Sequence, residues 1–348
     1  MASATPTTET RTVAPEPAPP AEPLKSGERS AGVPGSAKKR MLVIVNPYAT
    51  TVSDRLKNLV VYALQGRYEV TAVTTEARAH AIEIGREARD GHYDVVVAFG
   101  GDGTLNEVAN GLAGTRVPVS VLPGGSTNVV CRTLGIPNDV VDATEHLLGL
   151  ADDFRPRPVD LGIANGRRFV FACGAGLDAA VVRRVDSHPR LKARAGEWYF
   201  TWAAVSAFYR RYLRDAVRLH LVVDGQEAEG ITAIAQNSDP YSYFRNQQLR
   251  VCAGAAMDNG TLSVAMLKRA AQRDMPTIAG RVLSDRFSTP DHRQIDHFEG
   301  VTAARMESIS RDSEGKIRPF PLQVDGDYLG DHTELDLGIQ PGALTIVA

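Results

Sequence analysis

The sequence predicts an α/β protein of two domains: an N-terminal doubly wound parallel sheet, then a mainly antiparallel, β-sandwich-like domain. Three observations carry this expectation. Short β-branched runs alternate with helical stretches through the first part of the chain. Those runs are apolar on both faces, as a sheet covered by helices on two sides requires. Beyond about residue 155 the strand-like segments are joined by turn dipeptides instead, the texture of an antiparallel domain.

The regular pattern starts at "MLVIV" (41–45), a strand ended by the turn Asn46-Pro47. Further strands are "YEVTAVTT" (68–75), "YDVVVAFG" (93–100) and "VPVSVLP" (117–123), with helices expected around 53–65, 77–90 and 104–113. In the second half, strands are expected within 159–174, 217–236, 249–255, 261–267 and 300–308. The final stretch "TELDLGIQPGALTIVA" (333–348) reads as two more. Asn165-Gly166 and Asp224-Gly225 are hairpin pairs, because both dipeptides tolerate positive φ.

A length of 348 residues suffices for two buried cores. A net charge of -2 argues against a nucleic-acid partner held by bulk electrostatics. Cys131, Cys173 and Cys252 are far apart and form neither a zinc spacing nor a disulfide framework, which suits a reducing, cytoplasmic setting. Residues 1–38 are rich in Pro, Ala, Thr, Glu and Ser and lack aromatics, so disorder is expected there rather than a secretory signal. No run of 18 apolar residues offers a membrane span.

The chemistry is concentrated in loops that follow strands. "VVAFGGDGTLNEVANGL" (96–112) leaves a strand through Gly100-Gly101-Asp102-Gly103-Thr104 and enters a helix. Without Cβ atoms, backbone amides approach an anion closely, and the helix adds its positive end. Asp102 in the middle can hold a divalent cation that bridges phosphates. A tight turn in which Asp102 or Thr104 caps the helix explains the same residues. "VLPGGSTNVV" (121–130), with Gly124-Gly125-Ser126-Thr127-Asn128, repeats the arrangement, and "NPYAT" (46–50) adds a third loop. Three such loops at one sheet edge make a bed wide enough for a triphosphate. The P-loop motif, the protein-kinase HRD and DFG signatures and GxGxxG are all absent.

"GGDGTLNEVANGL", with "NPYAT" upstream and "LPGGSTN" downstream, resembles the diacylglycerol kinase catalytic-domain family, which includes bacterial lipid kinases and the sphingosine and ceramide kinases. The likeness extends to "FACGAGLDAAVV" (171–182), "MDNGTLSVAML" (257–267) and "VDGDYLG" (324–330). It implies a nucleotide-binding domain of residues 39–159 plus C-terminal strands 328–348, and a β-rich lipid-acceptor domain of residues 160–327. By the same resemblance, ATP would meet Asn46, Pro47, Thr75, Gly100, Gly101, Asp102, Gly103, Thr104, Asn106, Gly125, Ser126 and Asn128. Ser126 stands where the family has threonine. Asp325 and Asp327 match the family's Asp-Gly-Glu, where the proton acceptor lies, with the third residue one methylene shorter. Either carboxylate is a candidate base, although a plain hairpin turn also explains Asp-Gly.

ATP and Mg2+ are the expected cofactors, with Asp102 on the metal side. A second metal would sit at Asp258-Asn259-Gly260, where Asn259 replaces a family aspartate and Val129 follows the second loop instead of Asp. Asp160 and Asp178 are secondary candidates. The aromatic helix 196–219 and the cluster Arg183, Arg184, Arg190, Lys192 and Arg194 fit a membrane surface, or equally a core stripe and a solvated face. The expected function is an ATP-dependent lipid kinase acting on diacylglycerol or a sphingoid base, peripherally membrane-associated, with a homodimer left open. The alternatives are a soluble-substrate enzyme like NAD kinase and a catalytically weakened nucleotide-binding regulator.

Overall fold

The computed structural model describes residues 38–187, 215–269 and 271–348. The segment expected to be disordered, apart from Lys38, lies outside them, as do residues 196–214 of the aromatic helix and Arg190, Lys192 and Arg194.

Strands β1 (Arg40–Val45), β2 (Glu69–Thr74), β3 (Val95–Gly100) and β4 (Pro118–Pro123) are parallel, in the order β2-β1-β3-β4. Every residue of β3 and β4 is buried, as two-sided coverage demands. The edge strand β2 departs from that expectation. Glu69, Thr71, Ala72 and Thr74 are exposed, because at the margin of the sheet the helices no longer cover it. Helices α1 (Asp54–Leu64), α2 (His80–Ala88) and α3 (Asp102–Leu112) follow the first three strands. Ser53 starts α1 by accepting the Leu56 amide through Oγ.

The C-terminus returns to this sheet through β18 (Glu334–Ile346), parallel to β4 at Thr345 and Ile346. The same strand runs antiparallel to β5 (Arg157–Ala164) and β15 (Ala303–Ser308). It is one strand, not two. Pro341-Gly342 bulges the ladder, with a register shift between Gln340 and Leu344, and does not reverse the chain. With β6 (Arg167–Phe169), β8 (Leu219–Val223) and β9 (Gln226–Gly230), the first sheet reaches ten strands.

A second sheet has the order β14 (Ile295–Val301), β13 (Leu262–Leu267), β10 (Thr232–Gln236), β7 (Ala172–Gly176), β16 (Phe320–Val324), β17 (Asp327–His332), with every neighbour antiparallel. Alternate residues of β8, β15 and β18 face it. Leu219, Leu221, Met306, Leu335 and Leu337 join Val264, Met266, Phe320 and Leu322 in one buried cluster, the interdigitation of a sandwich. Of the stretch 249–255, only Leu249 is in a strand, in the small hairpin β11 (Ser242–Phe244) and β12 (Gln247–Leu249). Beyond it the Cys252 amide donates to the Gln236 side chain and not to a strand carbonyl.

Residues Lys38–Ala348 make one compact unit. The boundaries expected at 159/160 and 327/328 fall inside β5 and β17, because β5 and β18 carry the first sheet on into the sandwich. Among the described residues, no helix is long and apolar enough to cross a membrane.

Candidate active site

Three loops at the carboxyl ends of β1, β3 and β4 are tied to one another. The Asn46 amide donates to the Phe99 carbonyl (2.9 Å), and its Nδ2 donates to Thr104 Oγ1 (3.0 Å). The Thr51 amide donates to the Gly124 carbonyl (3.1 Å), and the Gly124 amide to the Gly100 carbonyl (2.8 Å). A Cβ on Gly124 would lie 2.8 Å from Gly100 Cα, and one on Gly125 would lie 2.9 Å from Gly101 Cα. The glycines are thus required by backbone packed on backbone, before any ligand is considered. Asn128, at φ 49, closes the second loop by exchanging side-chain hydrogen bonds with Gly125 N and O.

Asp102 opens α3, but its carboxylate serves the next helix. Its two oxygens accept the amides of Val129 (2.9 Å) and Val130 (3.1 Å) at the start of α4 (Val129–Thr133). Burial pushes this carboxyl up to about 6, opposed by those two amides and reinforced by the charge of Asp327. Asp102 is therefore also a structural cap, and the start of α4 is already occupied by a carboxylate.

The "VDGD" stretch is a hairpin turn and something more. Asp325 (φ 48) and Gly326 (φ 81) form the reversal between β16 and β17. The Asp325 side chain turns inward, and the residue is 3% exposed. It accepts hydrogen bonds from the amides of Val170 (2.6 Å), Phe171 (2.9 Å) and Ala172 (3.1 Å), and from Asn106 Nδ2 (2.7 Å). Burial still pushes its carboxyl up to about 6, against the pull of those donors. Asp327 begins β17, with its side chain 33% exposed and 3.8 Å from the Arg78 guanidinium. Its Oδ2 lies so close to Gly103 that a Cβ there would stand 2.7 Å away.

A cleft of about 1060 Å3 opens over these loops. Asn46, Thr75, Gly101, Asp102, Gly103, Thr104, Gly125, Ser126, Asn128, Asp325 and Asp327 line it. Pro47, Gly100 and Asn106 do not. Pro47 points to solvent, Gly100 is buried beneath Thr104, and Asn106 is spent on Asp325 and the Arg168 carbonyl. Asp258 and Asn259 are likewise not part of the lining. Asp258 faces Arg157 (3.7 Å), and Asn259 closes its own turn through Gly254 and Thr261. Asp160 holds that turn from below by accepting the amides of Gly260 (2.7 Å) and Gly342 (2.8 Å). Asp258 and Asn259 thus lie outside the cleft that Asp102 lines, and among the described residues no cluster of three His, Cys, Asp or Glu is arranged to hold a metal ion.

Sequence reasoning missed Arg78 and Glu107, which also line the cleft. Glu107 on α3 accepts the amides of Ala79 (2.8 Å) and Ala81 (3.2 Å), which fixes the loop that carries Arg78. The only signal available was a cation placed after a strand.

The far end of the cleft is apolar. Leu177, Val181 and Val182 of α6 (Leu177–Asp186) line it together with Met275, Ile278, Ala279 and Val282 of α7 (Met275–Val282). Thr232 and a polar group centred on Asp178 stand in this part. Asp178 accepts from Tyr241 Oη (2.5 Å) and Gln323 Nε2 (2.8 Å), and burial raises its carboxyl. Gln323 in turn accepts the Gly326 amide (2.9 Å), so this group and the Asp325–Asp327 hairpin are coupled. Arg183, expected among surface cations, is paired with Asp331 at 3.1 Å.

A sheet-edge cleft with a glycine-loop floor beside a sandwich domain defines a two-domain α/β fold, and similarity to known proteins places it among kinases. Residues 40–162 match the diacylglycerol kinase catalytic domain, and residues 172–348 match the YegS C-terminal NAD kinase beta sandwich-like domain. The chain belongs to the diacylglycerol kinase catalytic-domain family. A diacylglycerol kinase of Staphylococcus aureus (strain bovine RF122 / ET3-1) is 27% identical over 301 residues, 84% of this chain and 87% of that protein. One from Bacillus subtilis (strain 168) is 35% identical over 167 residues, 46% of this chain and 52% of that protein. In fold, the chain is similar to a diacylglycerol kinase structure from Bacillus anthracis strain Sterne, with a TM-score of 0.64 at 20% identity, covering 90% of this chain and 98% of that one.

Three outcomes follow from this geometry. Asp102→Ala removes the cap of α4 and lowers stability by about 1–2 kcal/mol in urea unfolding. Gly124→Ala forces the first and second glycine loops apart, a strain costing about 1–3 kcal/mol by the same measurement. The third concerns pH. Because burial raises the Asp325 pKa in the folded state, its contribution to stability is fully present below about pH 4 and is lost as pH rises through about 6. Asp325→Asn removes that dependence from denaturation curves taken across pH 4–7. At pH 7 it also destabilises by about 2–4 kcal/mol, since its NH2 faces amide donors.

Proposed function

We propose that this protein transfers the γ-phosphoryl group of ATP to the hydroxyl of a lipid such as diacylglycerol or a sphingoid base. The observation that carries the reading is the division of one cleft. Its floor is glycine-loop backbone, and its far end is an apolar chamber between α6 and α7. The Asp325–Asp327 hairpin is coupled to both, through Gly103 and through Gln323 and Asp178. A soluble nucleotide acceptor has no use for such a chamber. Relatives named diacylglycerol kinase support the same reading.

Phosphoryl transfer depends on positioning and on neutralising charge more than on covalent chemistry. Asp327 is the general base. Asp325 is committed to four donors, whereas Asp327 is partly exposed at the cleft and stands against the first glycine loop. It accepts the proton of the lipid hydroxyl as that oxygen bonds to phosphorus. Arg78, 3.8 Å from Asp327, pairs with the carboxylate and adds positive charge beside the transferring group. Asp102 and Asp327 are close enough for the charge of one to oppose ionisation of the other. Hard oxygen donors in mutual repulsion suit the Mg2+ that accompanies the triphosphate, whose role is to offset phosphate charge. The amides at the start of α3 and of residues 126 and 127 in the second loop hold the phosphates.

The test is incubation with labelled ATP and a panel of diacylglycerol, sphingoid base, NAD or no acceptor. Label is expected in a lipid; label in NAD, or ATP turnover without an acceptor, would overturn the reading. Asp327→Asn is expected to lower kcat by roughly 10²-fold or more with ATP affinity retained, while Asp327→Glu stays active. A few-fold loss in the Asn variant would mean that the base lies elsewhere.

A further inference from the structure

We propose that the tip at the C-terminal end of α7, residues 281–287, docks the protein onto an anionic bilayer and sets the apolar chamber against the lipid surface. The inference rests on the lipid-kinase reading and adds to it the surface by which the acceptor is reached.

The chamber wall formed by α7 runs out into solvent at this end. Ile278 is buried, whereas Leu283, which also lines the cleft, is 45% exposed. Phe287 follows one turn later in the sequence and is 56% exposed. A single exposed apolar side chain is ordinary on any protein surface. Here two large ones lie four residues apart, continuous with an apolar cavity, and cations bracket the second. The Arg281 and Arg286 guanidinium carbons lie 5.9 and 5.6 Å from the Phe287 ring centroid. Neither arginine has a carboxylate partner among the described ion pairs, and the neighbouring Asp285 faces Arg250 instead (3.7 Å).

The tip is held in shape. Ser284 Oγ accepts the amides of Arg286 and Phe287, both at 3.1 Å, which turns the chain at the helix end. Arg281 Nη1 donates to the Ser288 carbonyl (2.6 Å), and the Arg250 amide to the Val282 carbonyl (2.9 Å). An apolar ring flanked by guanidiniums on a fixed turn matches the layering of an anionic interface, with the ring among acyl chains and the cations at the phosphates. The same charges disfavour a second copy of this chain as the occupant. A two-fold contact through Phe287 would set Arg281 and Arg286 against their own counterparts.

Vesicle flotation of the full chain tests this, using phosphatidylcholine vesicles with and without phosphatidylglycerol. Wild type is expected to float with the anionic vesicles and to be released by salt. Phe287→Ser should weaken that partition about tenfold. Arg286→Glu, a change of two charges, should weaken it about 25-fold at low salt, at about fivefold per charge. Neither residue lines the cleft, so both variants should turn over a short-chain diacylglycerol in free solution at the wild-type rate. Wild-type partition in both variants, or no preference of wild type for anionic vesicles, would overturn the docking surface. So would a wild-type dimer that Phe287→Ser dissociates while vesicle binding is unchanged. Partition is read without turnover, so a wild type that phosphorylates no lipid counts against the kinase reading and not against the docking.

Discussion

The carboxylate of Asp325 collects three consecutive backbone amides and the side-chain amide of Asn106, and the geometry of the cleft depends on that convergence. Asn106 belongs to α3 of the parallel sheet, Val170 to Ala172 lead into β7, and Asp325 opens the β16–β17 hairpin. One buried anion therefore staples three elements that the chain order keeps far apart. Burying a carboxylate is costly, and only a full set of donors makes it tolerable. The left-handed conformation of Asp325 completes the arrangement, because the turn it makes delivers Asp327 to Gly103 two residues later.

That staple separates two jobs that the sequence left undivided. In "VDGD" both aspartates look alike, and the dipeptide reports only a hairpin. The hairpin is there, but the fate of each carboxylate is decided by amides more than 150 positions away, which no local pattern encodes. The same holds for Asp102, whose role as the cap of α4 depends on two strand ends being neighbours. What local pattern does encode was legible. The apolar runs of β1, β3 and β4, the strands β8 and β15 and the passage from strand through glycine loop to helix all came through. Strand β18 was misread as two, because Pro341-Gly342 is a turn signal that a bulge also satisfies. Arg78 gave no more signal than a cation after a strand, because its place is set by Glu107 on another helix.

The cleft's two ends obey different physics. At the glycine loops, little side chain intervenes and the surface is backbone dipoles. Between α6 and α7 the walls are aliphatic and admit apolar surface without leaving polar groups unpaired. The polar group of Asp178 with Tyr241 and Gln323 is already satisfied internally, so its burial does not demand a ligand. Through Gln323 it is coupled instead to the hairpin that carries Asp327.

The occupation of α4 by Asp102 also decides which helix end can serve an anion. Two glycine loops each lead into a helix, and by sequence both helix starts are equivalent phosphate sites. They are not equivalent in the fold. The amides of Val129 and Val130 at the start of α4 already face a carboxylate, so a phosphate there would meet a negative charge. The start of α3 keeps its end open to the cleft, with Gly103 in the lining. The second loop is held rigid by Asn128, which ties Gly125 at both its amide and its carbonyl. Glycine at 124 and 125 follows from the same logic, because only bare backbone lets this loop lie against the first.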